Sequence, residues 1–188
     1  MSHMWNSKHP GQIEMITMIK TFVIELIILI VVFTLACTWN CRDVNNHLNW
    51  VVVNYPPAVV NRLIELDKVE IPKPVPLSGR LRKKLPIAIL FVFILAAIVY
   101  FVNGCRTFLS AFGTCMLIWT IVDWYDALIL DCLWFCHSKK IRVAGTEDMD
   151  KEYKDYLYHI KGSATGMLLG LVVSLLVGAV ATLMSFIF

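Results

Sequence analysis

Three aspartates and a histidine interrupt one apolar stretch of this 188-residue chain. Asp123, Asp126, Asp131 and His137 lie in a run otherwise dominated by Leu, Ile, Phe and Trp. Carboxylates in such a setting can receive a cation or a positively charged ligand, and they can exchange protons when burial penalises the charged form. On a regular helix, at about 100° per residue, Asp126 and His137 fall within about 60° of Asp123, and Asp131 about 80° to the other side. One face then carries two carboxylates and an imidazole, with a third acid flanking it. Asp123 and Asp126, about one turn apart, could also hold a divalent cation and a phosphate head group at a lipid–water boundary.

A fourth acid, Glu25, stands inside a second apolar run. About nine residues into that run, or about 13 Å along a helix, it is expected near the middle of a bilayer. A charge there costs on the order of 2.5–3.5 kcal/mol on insertion scales, so Glu25 needs a hydrogen-bonding neighbour, a proton, or a role in moving protons or cations. Lys20 lies nearer the end, where its stem can snorkel.

Cysteine is the other chemistry-bearing type. Cys37 with Cys41, and Cys132 with Cys136, form two i, i+4 pairs that each share a helix face. Should the pairs meet, four thiols and His137 have the donor set of a zinc or redox centre; the competing reading is that they pack as small apolar residues. No Cys-x-x-Cys, Ser-His-Asp, glycine-rich phosphate loop or His-Glu-x-x-His pattern accompanies them, and the sequence requires no cofactor. Met1, His3, Met4 and His9 are read as a tail rather than a copper site.

These residues must be positioned by membrane helices. The chain is 58% hydrophobic and 16% charged, far from the usual soluble balance of about 25% charged residues. Four stretches reach the roughly 20 apolar residues that a span needs, at about 13–39, 86–102, 105–136 and 162–188. The expected fold is therefore all-α: four transmembrane helices in a bundle, joined by connections 40–85 and 137–161 that carry short amphipathic helices. The first span is longer than a signal-peptide core and is read as retained. Asn103-Gly104-Cys105-Arg106 should turn the second span tightly into the third.

All of the 17 Lys and Arg residues except Lys8, Lys20 and Arg106 fall in the two connections. Short basic loops stay in the cytoplasm, so both termini are expected outside. The net charge of +3 follows from that asymmetry and calls for no nucleic-acid partner. Arg80, Arg82, Lys83 and Lys84, just before the second span, suit anionic lipid head groups. They are also candidate ion-pair partners for the three aspartates.

In the first connection, Tyr55-Pro56-Pro57 should open a helix with Val59, Val60, Leu63 and Leu66 on one side. Ile71 to Pro76 alternates proline and should be extended. In the second connection, Thr146 is expected to cap a helix whose first turn holds Glu147, Asp148 and Asp150. Gly162, Gly166, Gly170, Ser174 and Gly178 recur every four residues in the last span. Such a stripe admits close helix packing, within the chain or in a homo-oligomer.

The segment from Tyr55-Pro56-Pro57 to Glu65, and Gly145-Thr146-Glu147 followed by Tyr153, Tyr156 and His159, resemble segments of small uncharacterised multi-pass membrane proteins of bacteria. The resemblance implies a four-helix fold in a bacterial cytoplasmic membrane and no particular activity. Three functions fit the residues. The first is a non-enzymatic protein with a polar, ligand- or ion-capable pocket at the cytoplasmic face. The second is a small ion or proton transporter or channel subunit using Glu25, and the third is a lipid-phosphate or metal-dependent enzyme using Asp123, Asp126 and His137. The topology has a direct test. In single-cysteine variants in intact cells, an impermeant thiol reagent should label Asn103→Cys and spare Ser78→Cys; the reverse pattern would invert the orientation.

Overall fold

A computed structural model describes residues 10–46, 48–70 and 77–188. Among these residues the protein is all-helical, with no strand. Helix α1 spans Pro10–Asn40, α2 Leu48–Val51, α3 Pro57–Glu65, α4 Leu77–Ala97, α5 Phe108–Tyr125, α6 Asp150–Tyr153 and α7 Tyr156–Met184. Two of them widen into π-helical turns with i→i+5 bonding: α4 continues through Ile98–Val102 and α5 through Asp126–Phe135. The extended segment expected at 71–76, the histidines near the start and the side chain of Trp50 lie outside the described residues.

Three stretches are long and apolar enough to cross a membrane: Met15–Asn40, Lys84–Val102 and Asp150–Met184. This fits a multi-pass membrane protein. The stretch expected as a further span, 105–136, is helical but is not among them. It is divided where the bonding pattern changes at Asp126, and it carries all three aspartates.

The tight corner between α4 and α5 forms as expected. Gly104 takes φ +68°, a left-handed conformation that glycine adopts without strain. Thr107 and Ser110 then cap α5 reciprocally, each side chain accepting the other's backbone N–H at 3.3 Å. Helix α5 makes its most extensive packing with α7, and α4 also lies against α7. The shared core holds Val92, Ala96, Val99, Tyr100, Ala111, Cys115, Val177 and Ala181.

The small-residue stripe has its partner within the chain. A side chain on Gly170 would occupy the place of the Trp119 indole, and one on Gly178 would press on Phe108 at 3.0 Å. Trp119 Nε1 donates to the carbonyl of Gly166 at 3.1 Å, which fixes the indole in the groove. Ser174 is buried in the same face, whereas Gly162 has open space beside it and takes no part in the interface.

A second core caps one end of the helices. Tyr55, Val59, Leu63, Ile141, Val143 and Tyr153 gather with Cys41 and Phe135 at the ends of α1 and the π-helical segment. Proline opens α3 as expected, and its Val59 and Leu63 are buried, while Leu66 lies past the helix end and is exposed. Thr146 does not cap a helix. It is buried, its hydroxyl donates to Val143 O at 2.8 Å, and it lies 2.7 Å from the Tyr153 hydroxyl, which also accepts the Val143 N–H. The hydroxyl closes a local bond to the carbonyl three residues back, and the helix begins only at Asp150, without a side-chain cap and with Glu147 and Asp148 outside its first turn. Asp155 supplies the cap instead, to the Tyr158 N–H that opens α7.

The α5–α7 groove makes a sharp expectation. Gly170→Leu must displace the Trp119 indole and should lower the melting temperature in detergent strongly, by the equivalent of about 1–3 kcal/mol or more. Leu171→Ala, on the exposed side of α7, should act much less. Equal melting curves for the two variants would remove this interface.

Candidate functional site

The packing of α7 on the third apolar stretch lines up polar side chains along one seam. At the capped end, His159 Nδ1 lies 3.1 Å from Asp131 Oδ2. One turn further on, Ser163 donates a short hydrogen bond to Asp123 Oδ2. Trp119 against Gly166 and Gly170 follows, so the polar part of the seam ends where the indole seals it.

Beside the seam is a cavity of about 420 Å³ whose polar lining includes Asp123, Asp126, Asp131, His159, Ser163 and Tyr158. Cys37, Asn40 and Cys41, at the end of α1, form the opposite wall. Among the described residues no Lys or Arg lines it. Tyr158 donates to Val53 O at 2.9 Å, which ties the cap to this rim.

The three aspartates thus meet in one cavity, but His137 does not join them. It is exposed, with Nδ1 3.1 Å from the carbonyls of Cys132 and Leu133 and Nε2 3.2 Å from the Tyr156 hydroxyl. The projection fails because i→i+5 bonding begins at Asp126, so residues beyond it no longer follow the regular α-helical angle. Asp131 swings toward the cavity and His137 away from it. The imidazole of the site is His159, from another helix. The signal for it lay in helical spacing rather than in the four-residue repeat: His159, Ser163, Gly166 and Gly170, at steps of four, three and four, share one face of α7.

The ion pairs expected between the aspartates and the basic run are not formed by the described side chains. Arg82 and Lys84 are exposed and make no salt bridge, while the side chains of Arg80 and Lys83 lie outside the described residues. The basic run begins α4, which packs on α7 rather than against the acid-bearing turns. Asp131 takes His159 instead.

Glu25 accepts a hydrogen bond of 2.7 Å from Asn103 Nδ2. Asn103 sits in the α4–α5 corner, so Glu25 is level with one end of that hairpin rather than with its middle. The count from the start of the run missed this because α1 is longer than the apolar stretch and extends past the corner. Glu25 lines a second cavity, of about 330 Å³, with Leu29, Leu95, Ile98 and Val99 among its apolar walls. Phe33, Asp123 and Asp126 line both cavities, so the two adjoin at those residues.

The six cysteines are all free. Cys37 and Cys41 line the polar cavity, and Cys132 and Cys136 do not. Among the described residues no three His, Cys, Asp or Glu side chains are grouped to hold a metal ion. Burial, and then the nearby Asp131 carboxylate, push the Cys41 thiol above its ordinary range. That favours the protonated form, a poor ligand and nucleophile. Comparison with protein-family models, with curated proteins and with solved structures gives no match.

The Asp131–His159 contact ties the site to the fold and should be visible as coupling. Asp131→Ala and His159→Ala should each destabilise, and the double variant should lose less than their sum by about 0.5–3 kcal/mol. Additive losses in denaturation of the purified protein would remove this pairing.

Proposed function

We propose that this chain is a membrane protein of four transmembrane helices whose acid-lined cavity binds a cation or a positively charged ligand at the cytoplasmic face, without catalysing a reaction. The stretch 108–135 is the added span. Its roughly 28 residues reach about 42 Å at helical rise, enough for a bilayer core of about 30 Å. The cytoplasmic placement follows from the basic connections, which leave the same end of the helices as the cavity.

The observation that carries the reading is the sign of the lining: three carboxylates and, among the described residues, no Lys or Arg around about 420 Å³. A purely structural acid cluster would be expected to recruit basic side chains from the first turns of α4, because uncompensated charge of one sign is costly in a low dielectric; of those described, Arg82 and Lys84 make no salt bridge. Here Asp123 has a hydroxyl donor and Asp131 an imidazole, so a mobile cation is the compensation that fits. The volume lies within the range of about 300–1,000 Å³ typical of small-molecule sites.

Passage of protons or cations is the second reading, favoured by the cavity that joins Asp123 and Asp126 to Glu25. Melting curves of the full chain in detergent separate the possibilities. Methylammonium, or a divalent ion, should raise the melting temperature by mass action, and Asp126→Asn should abolish the rise. No stabilisation by either class of cation would overturn the binding reading. In proteoliposomes, cation or proton flux lost in Glu25→Gln would put the transport reading first.

A further inference from the structure

We infer that the ligand is an amphiphilic amine, with a protonated, N–H-bearing head among Asp123, Asp126 and His159 and an alkyl or aryl tail in the second cavity. This rests on the proposed cation site and names what it takes. The first observation is continuity: a polar cavity and an apolar one share Phe33, Asp123 and Asp126, so a molecule with its charge at the shared carboxylates has an apolar chamber next to it. The chamber presents Leu29, Leu95, Ile98 and Val99, and its only acids among the described residues are Glu25 and the two shared aspartates. The second is an unpartnered acceptor. His159 lines the polar cavity, is 5% exposed, and its Nε2 has no hydrogen-bond partner.

Asp131 takes up Nδ1, and in the tautomer that donates to it Nε2 is the ring's remaining acceptor. A lone pair is satisfied by an N–H donor, which a primary or secondary ammonium has and a quaternary ammonium lacks. Charge complementarity excludes an anionic amphiphile, since neither cavity has a Lys or Arg in its described lining. A bare metal ion leaves the apolar chamber unused, and the carboxylates do not converge into a ligand cluster. Head, tail and hydrogen-bond donor therefore point to one chemical class.

The test uses the full chain in detergent and a series of probes: methylammonium, butylammonium, hexylammonium, octylammonium, octyltrimethylammonium and octanesulfonate. Affinity should rise with each added methylene, by up to about fourfold per group, until the chamber is filled. Octyltrimethylammonium should bind at least about tenfold more weakly than octylammonium, and octanesulfonate should not bind. Leu29→Trp, on the loosely packed α1, should fill the chamber and bring octylammonium down to about the affinity of methylammonium. If that variant fails to fold, the chain-length series in the parent protein decides alone. Equal binding of methylammonium and octylammonium overturns the tail assignment and leaves the cation site standing. Equal binding of octanesulfonate reduces the chamber to a groove for any lipid tail, and equal binding of the trimethylated probe removes the role of His159. Failure of every cation removes both readings together.

Discussion

The Trp119 indole occupies the space that a side chain at Gly170 would need, and the placement of the α7 donors in the site depends on that contact. Apolar side chains gain little by leaving lipid for one another, so membrane helices associate through close packing and hydrogen bonds. Here both act at one place: the ring enters the groove of α7, and its N–H reaches the Gly166 carbonyl. That sets the rotation and height of α7 against α5. Ser163 and His159, one and two turns nearer the cap, are thereby delivered to Asp123 and Asp131. A bulky residue in the stripe would separate the donors from the acids even if every acid kept its place.

Helix α1 is held in a different way. None of the residues in its most apolar window is buried, and it has little packing against α5. Two polar contacts fix it instead: Glu25 with Asn103 at one level, and Thr34 with the Tyr125 hydroxyl at 2.9 Å at another. Phe33 lies beside the second contact and lines both cavities. The wall of the site contributed by α1 is thus attached by hydrogen bonds at two heights, whereas the opposite wall is close-packed. Few buried apolar contacts are the physical mark of a segment that opens at low free energy.

Much of this was legible in the sequence, and the failures share a cause. Hydropathy located the long helices, the Asn103–Arg106 corner and the proline start of α3, because burial and proline geometry act locally. The acid cluster was legible as a set, but its arrangement was not. A projection at one fixed angle assumes uniform hydrogen bonding, and ten residues of wider turns begin at the second aspartate. His137 looked like the site's imidazole because it was near in sequence. His159 was nearer in space, brought there by a stripe whose meaning depended on knowing its partner helix. Glu25 was misplaced in height for a similar reason: where a helix sits along its axis is set by the contacts it makes, here Asn103, not by where its apolar run begins.

The unequal treatment of the three aspartates is the strongest argument for a ligand. Asp123 receives a hydroxyl and Asp131 an imidazole, and both donors come from α7, so these two carboxylates also help seat that helix. Asp126 has no such donor among the described residues, although it lines both cavities. A fold that needed only helix pairing has no use for it, since an apolar residue of similar size there would avoid both desolvation and repulsion from its neighbours. Its position at the first wide turn points the same way, because π-helical turns are frequent at functional sites. Asp123 and Asp131 can be explained by the architecture. Asp126, which lines both cavities without such a role, is the carboxylate that the proposed cation site would use.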